Sequence, residues 1–202
     1  MITFQKIRWK NFLSTGNQFT EINFQEHNTN LIIGTNGAGK STLLDALTFV
    51  LFNKPFRKIN KPQLVNAQNE RECLVEIEFE INSRQYVVRR GIKPTVFDIV
   101  VNGTELHREA DDRAMQRVLE DNILKVNYKS FTQIVILGSS TFVPFMQLTS
   151  ANRREVIEDL LDIRIFSLMN NILKDKIRTQ KEQVKSLDLK KETLKDKMKM
   201  QQ

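Results

Sequence analysis

Cysteine occurs once in this chain of 202 residues, at Cys73, which excludes a disulfide framework and a Cys/His zinc cluster. The two histidines, His27 and His107, have no ligand-spaced companions and read as loop or surface residues. No stretch approaches the roughly 18 uncharged apolar residues of a membrane-spanning helix. The opening MITFQKIRWKNF interrupts its apolar pattern with charge, unlike a secretion signal. The expected setting is the cytoplasm, with no membrane partner. Against these absences stands a net charge of +7. A basic excess points to an anionic partner, most often nucleic acid, with a solvated surface as the plainer explanation. A hydrophobic share of 40% suffices for one core, or for one domain with an extension.

Hydrophobic periodicity divides the chain. Residues 2–9 alternate, with Ile2, Phe4 and Ile7 against Thr3, Gln5 and Lys6, and predict a strand. After a turn around Ser14, Thr15 and Gly16, a second strand is predicted near 18–24. A third is expected over 29–33, where Leu31, Ile32 and Ile33 are consecutive, as in a strand buried on both faces. Residues 40–52 place Leu43, Leu44, Leu47, Val50 and Leu51 at helical spacing. The polar stretch 54–69, with Pro55 and Pro62, reads as an exposed connection. In 72–81, Val75, Ile77, Phe79 and Ile81 alternate with glutamates; Asn102–Gly103 is a hairpin signal. Residues 72–106 are therefore expected to form an antiparallel patch. A short amphipathic helix is predicted over 111–124, a further buried strand over 131–138, and a helix from 150 onward capped by Thr149 or Ser150.

From residue 170 neither glycine nor proline occurs. Leu173, Ile177, Gln180, Val184, Leu187, Lys191, Leu194 and Met198 step by alternating four and three, a heptad seam with polar breaks at Gln180 and Lys191. The segment holds ten basic and five acidic residues, +5 of the chain's +7. A helix that hides only one stripe needs a partner strand.

The densest chemistry lies in NLIIGTNGAGKSTLLDAL, residues 30–47. Gly34 to Ser41 match G-x-x-x-x-G-K-[ST], preceded by an apolar run and followed by a helical pattern. Glycines let the backbone wrap a phosphate with its N–H groups turned inward, and the helix adds its positive end. Candidate nucleotide ligands are Asn36, Gly37, Ala38, Gly39, Lys40, Ser41 and Thr42, with Ser14 from the preceding turn. Lys40 can reach the terminal phosphates, Ser41 can ligate Mg²⁺, and Thr42 can donate to the nearest phosphate. Phosphoryl transfer also needs a second carboxylate, usually closing an apolar strand. Glu158 and Asp159 sit inside a helical pattern and Asp98 lies mid-strand, so neither fits. The chain shows a phosphate-binding half and no catalytic half.

These segments resemble the SMC-class ABC-type ATPases, in particular the SbcC-like double-strand-break repair branch, which includes phage members and partners a Mn²⁺-dependent nuclease. Lys10-Asn11-Phe12, the glycine loop, Asp45 within STLLDAL, YVVRR (86–90) and FTQIVILGSSTFVPFMQLTSANRREVIEDLLDI (131–163) carry the resemblance, which covers essentially the whole chain. It implies an α/β fold: an ABC-type P-loop ATPase lobe over residues 1–168 with an antiparallel β side sheet, then from 169 a long helix forming one arm of a coiled coil. It implies ATP and Mg²⁺ as cofactors. The catalytic carboxylates are expected in a C-terminal lobe of the same ATPase beyond the coiled coil, with this chain cut within the ascending arm. Implied partners are that lobe, a second head in a homodimer, the nuclease subunit at the coiled-coil base, and double-stranded DNA. Lys174, Lys176, Arg178, Lys181 and Lys185 are assigned to DNA or nuclease contact, with a solvated face as the alternative. Two departures stand out. Ser139, followed by Ser140, occupies the place of the family's lobe-connecting glutamine, so either Ser139 is the second metal contact, holding the ion through water, or a neighbouring residue substitutes; Gln133 and Gln147 are nearby but out of register. Leu13 replaces the arginine that follows Asn-Phe. The alternatives are an SMC/condensin-like DNA clamp without a nuclease, which nuclease co-purification distinguishes, a transporter nucleotide-binding domain, and a small P-loop kinase or GTPase. The basic heptad tail and the lack of a membrane-coupling segment oppose the transporter. The hairpin patch and the missing carboxylate oppose the small P-loop enzyme.

Overall fold

Alternating strands dominate the first half of the chain. The computed structural model describes residues 2–27, 29–106, 111–136, 143–161 and 163–200, which fall into two units, Met1–Val156 and Ile157–Gln202. In the first unit, β1 (Ile2–Lys10), β2 (Thr20–Asn23), β3 (Cys73–Ile81), β4 (Arg84–Ile92), β5 (Val96–Val101) and β6 (Thr104–Glu105) form one antiparallel sheet in the order β2-β1-β3-β4-β5-β6. The expected patch over 72–106 is present and continues directly into β1, because Ile7 pairs with Ile77 and Trp9 with Val75. The Asn102–Gly103 turn has φ of 49° and 81°, which closes β5 on β6 tightly.

The two faces of the sheet differ as the alternation requires. Ile7, Trp9, Val75, Ile77, Phe79, Val88, Phe97 and Ile99 are buried on the inner face. On the outer face Glu21, Arg8, Glu76, Arg89 and Asp98 stand opposite one another across five strands, with alternating sign. Glu76 bonds Arg8 and Arg89, each at 2.5 Å, and that bond raises the pKa of Arg89. A one-residue slip would put these charges into the core, so apolar and ionic faces specify one register together.

Helix α1 (Thr42–Phe52) packs on β3 and β4. Ala46, Leu47, Phe49, Val50, Leu51 and Phe52 are buried, at roughly 1.5–3 kcal/mol for each large side chain. Two of its last carbonyls are bonded by side chains of other elements. Arg90 Nε donates to the Val50 carbonyl at 3.0 Å, and Gln116 Nε2 to that of Leu51 at 2.9 Å. Arg90 is itself buried, 3.7 Å from the Phe97 ring centroid. Burial lowers its pKa to about 9, against the opposing pull of Asp112 and Glu120. The expected helix over 111–124 is α2 (Asp112–Arg117), capped by Asp111, running on into a wider π-helical turn, Val118–Leu124.

Three expectations are corrected. Residues 29–33 form no strand: Leu31 and Ile33 are each 83% exposed, and no strand among the described residues pairs with them. An apolar run creates a demand for burial, but a strand buried on both faces needs neighbours at both edges. Residues 131–134 belong to α3 (Tyr128–Ile134), not to a strand. The Asn127 side chain accepts from Ser130 N and starts a helix, and only Ser130 and Phe131 are buried, Phe131 with its ring 5.0 Å from that of Phe52. A short apolar run has no period that separates the two states. The connection 54–69 is not wholly exposed: it contains a 3₁₀ turn, Lys61–Leu64, and buries Leu64, Val65 and Asn66.

Helix α4 (Ser150–Leu160) begins as expected, with Asn152 N donating to Thr149 Oγ1 at 3.3 Å. In the second unit α5 (Arg164–Met200) runs for 37 residues without a break. Its seam residues Leu173, Ile177, Val184, Leu187, Leu194 and Met198 are 46% to 69% exposed. No described helix is long and apolar enough to cross a membrane.

Cys73 is buried, with Sγ 3.9 Å from the Leu64 carbonyl, and burial pushes its thiol from 9.0 to about 12. Above pH 9 the unfolded thiol ionises while the folded one stays protonated. Its contribution to stability is therefore full below pH 9 and declines as pH rises toward 12, by about 1.4 kcal/mol per pH unit. Urea melts should show wild type losing stability relative to Cys73→Ala over that window. A constant difference between the two would mean that the thiol titrates as it does in water.

Candidate functional site

The loop at the start of α1 takes conformations that its sequence makes possible. Gly37 and Gly39 have φ of +88° and +91°, which side-chain-bearing residues rarely adopt. Thr42 N donates to the Gly39 carbonyl at 2.9 Å, so the loop passes directly into the helix. Lys40 folds back into the hollow, its Nζ donating to the carbonyls of Gly34 at 2.7 Å and Thr35 at 2.9 Å. Ser41 occupies the N-cap of α1 but its side chain makes no capping bond. An exposed hydroxyl, an ammonium and a helix N-terminus thus meet at one point, a geometry suited to a polyphosphate with a divalent cation.

This point opens into a cleft of about 500 Å³ lined by Ser14, Asn36, Gly37, Gly39, Lys40, Ser41 and Thr42 on one side. Seven of the eight sequence-predicted nucleotide ligands are therefore brought together. Ala38 does not line the cleft, and its N–H bonds the Thr35 carbonyl at 3.2 Å. Ser139 and Ser140 lie outside the described residues. Among the described residues, no group of three or more His, Cys, Asp or Glu could hold a metal ion, and no acidic side chain lines the cleft.

The opposite wall comes from the segment that sequence reading treated as a connection. Arg57, Ile59, Gln63, Val65 and Ala67 face the loop, joined by Leu13. Two devices hold them. Asp45, fully buried on α1, accepts from Arg57 N at 2.9 Å and Arg57 Nε at 2.6 Å. Asn66 donates to the carbonyls of Leu13 and Thr15 at 3.0 and 3.1 Å, while its Oδ1 accepts from the backbone of Gln68 and Asn69. Lys10-Asn11-Phe12 serves the same end. Lys10 pairs with Glu72, Asn11 is buried at φ +50° and bonded by Asn69, and Phe12 packs on Phe49 at 5.7 Å. Leu13 and Ser14 are thereby delivered to the cleft. The available signal for this wall was Asp45 itself, a carboxylate among leucines that burial obliges to find a cation.

The remaining predicted positions belong to the second unit. Lys174, Lys176, Arg178, Lys181 and Lys185 are exposed on α5.

A family model described as an AAA domain matches residues 6–202. The chain is 40% identical over 187 residues to exonuclease subunit 2 of Escherichia phage RB69, covering 93% of this chain and 33% of that protein. It is 28% identical over 165 residues to the DNA double-strand break repair Rad50 ATPase of Thermoplasma volcanium, covering 79% of this chain and 18% of that protein. The chain spans a third or less of the length of these curated relatives. A solved structure from work on ATP-driven dimerization and DNA-stimulated activation of SMC ATPases aligns with a TM-score of 0.55 at 24% identity, covering 78% of this chain and 99% of that one. That likeness establishes the fold.

Truncating Arg57 leaves a buried carboxylate held by one backbone N–H. Arg57→Ala is expected to lower the free energy of unfolding by about 1–3 kcal/mol, with Arg57→Lys recovering only part because a point charge cannot repeat the fork. Denaturant titrations of the three proteins measure it, and an Arg57→Ala midpoint equal to wild type would remove the tether from the account.

Proposed function

The chain belongs to the AAA-domain family, and on that premise we propose that it is the ATP-binding half of a DNA double-strand-break repair or recombination ATPase. In this reading, ATP binding and hydrolysis are coupled to DNA binding and to control of a partner nuclease. One observation carries the nucleotide-binding part of the reading: a glycine loop seated on the N-terminus of a buried helix, facing a mixed wall of Leu13, Arg57, Ile59, Gln63, Val65 and Ala67 across a cleft of about 500 Å³. The names of the phage and Rad50 relatives support the nuclease and repair context.

The residues fit the nucleotide. Backbone N–H groups of the loop and the start of α1 receive the phosphates. The Lys40 ammonium exchanges its two carbonyl partners for phosphate oxygens, a charge-assisted and stronger bond. The Ser41 hydroxyl, free of any capping duty, holds Mg²⁺, and Leu13, Ile59 and Val65 offer the base an apolar surface. Mg²⁺ supplies charge neutralisation at the terminal phosphates. Ser139 is the proposed second metal contact. The hydrolytic carboxylates are assigned to a C-terminal lobe of the same ATPase, and the full site to a homodimer of heads. The lobe covers residues 1–168, and the coiled-coil arm begins at 169. A Mn²⁺-dependent nuclease subunit docks at the arm's base, double-stranded DNA is a partner, and the setting is the cytoplasm.

Calorimetry with ATP and Mg²⁺, paired with steady-state turnover, tests this on the chain alone. The expected result is binding with negligible hydrolysis, and a loss of about 100-fold or more in affinity in folded Lys40→Ala. Unchanged affinity in that variant would remove Lys40 from the site. Robust turnover abolished by Lys40→Ala would show a complete hydrolytic site within this chain.

A further inference from the structure

Helix α5 sorts its charges by face. In the register of the seam that runs from Leu173 to Met198, two rows flank the apolar stripe. Lys174, Lys181, Asp188 and Lys195 follow the row of Leu173, Gln180, Leu187 and Leu194. Lys176, Gln183 and Lys190 precede the row of Ile177, Val184 and Lys191. Five of these seven flanking residues are lysine. Of the acids, Asp175, Glu182 and Asp196 fall on the row farthest from the seam, and only Asp188 lies beside it. All of these residues are exposed, and a groove along the helix runs over Ile177, Gln180 and Val184 with Lys176, Lys181, Lys185 and Asp188 at its sides.

Flanking residues of a coiled coil meet those of the facing helix, and their charges choose the partner. A second copy is a poor partner for this seam. In a parallel pair, Lys176 would face position 181 of the other copy and Lys190 would face position 195, lysine on lysine both times. In an antiparallel pair each lysine-rich row would meet itself. Lys191 adds a cation within the seam, which asks for an acidic residue across it.

We propose that α5 docks a helix of complementary chemistry, one whose apolar heptad seam is flanked on both sides by aspartate and glutamate, and that it rejects its own copy. This rests on the reading of α5 as a coiled-coil arm and names the strand that the arm accepts. It also divides the basic residues of the helix. Lys174, Lys176 and Lys181 belong to the docking face, Lys185 borders the groove from one row farther out, and Arg178, on that same outer row, is already 3.5 Å from Asp175.

The test uses the whole chain and two synthetic helical peptides that share one apolar heptad seam, one with glutamate and one with lysine at the flanking positions. Affinities are measured by fluorescence anisotropy at about 50 mM and about 1 M salt, and the chain alone by sedimentation. The glutamate peptide should bind about tenfold or more tightly at low salt, with the ratio shrinking at high salt. The chain alone should be monomeric. A variant carrying Lys174→Glu, Lys176→Glu, Lys181→Glu, Lys190→Glu and Lys195→Glu, which inverts both flanking rows, should reverse the preference, which a merely destabilised helix would not do. Equal affinity for both peptides, or self-association of the unmodified chain through α5, overturns the charge selection while leaving the arm in place. Binding of neither peptide, with helicity intact, overturns the coiled-coil reading itself.

Discussion

The Asp45 carboxylate lies inside α1 with no access to water, and much of the nucleotide cleft follows from how it is neutralised. An isolated buried charge is too costly to keep, so a cation must come to it. Arg57 does so with its guanidinium and its own backbone N–H. The chain leaving α1 is thereby folded back along the helix. Residues 57–67 become a wall opposite the glycine loop rather than a solvated connection. Asn66 carries the constraint onward to the turn after β1, which brings Leu13 and Ser14 to the same cleft.

The helix that carries Asp45 is anchored at its C-terminal end. Its C-terminal carbonyls are bonded by Arg90 and Gln116, and a cation at that end complements the helix dipole. Its N-terminus is left to the loop, where Lys40 rests on two carbonyls and the Ser41 hydroxyl has no capping role. The Val50 and Leu51 carbonyls at one end are used in structure, and the polar groups at the other are held ready for a ligand. The sheet behind α1 gives the same economy in two dimensions: one face supplies the apolar floor, and the other a row of alternating charges that locks the register.

Local patterns were legible where the partner lies nearby in the chain. The strands β1, β3, β4 and β5, the Asn102–Gly103 turn, the Thr149 cap and the glycine loop all follow from period, turn chemistry or motif. The misread segments share one property, that their state depends on a distant neighbour. The run at 29–33 has the composition of a central strand and lacks a paired edge among the described residues. The run at 131–134 is helical because Asn127 caps it and Phe131 has Phe4 and Phe52 to pack on. The wall at 57–67 was hidden because its polar, proline-bearing composition is that of a loop, and its burial is imposed from α1.

By itself the sequence determined which chemistry the chain carries: a phosphate-binding loop, an alternating sheet and a basic heptad helix. These are properties of adjacent residues, set by backbone sterics and by the period of side-chain direction. The tertiary structure decided where that chemistry is enclosed. It chose the partner of Asp45, the residues that face the loop across the cleft, and which apolar runs find cover, because burial and charge pairing act between segments that are far apart in sequence and are satisfied only once the chain has closed on itself.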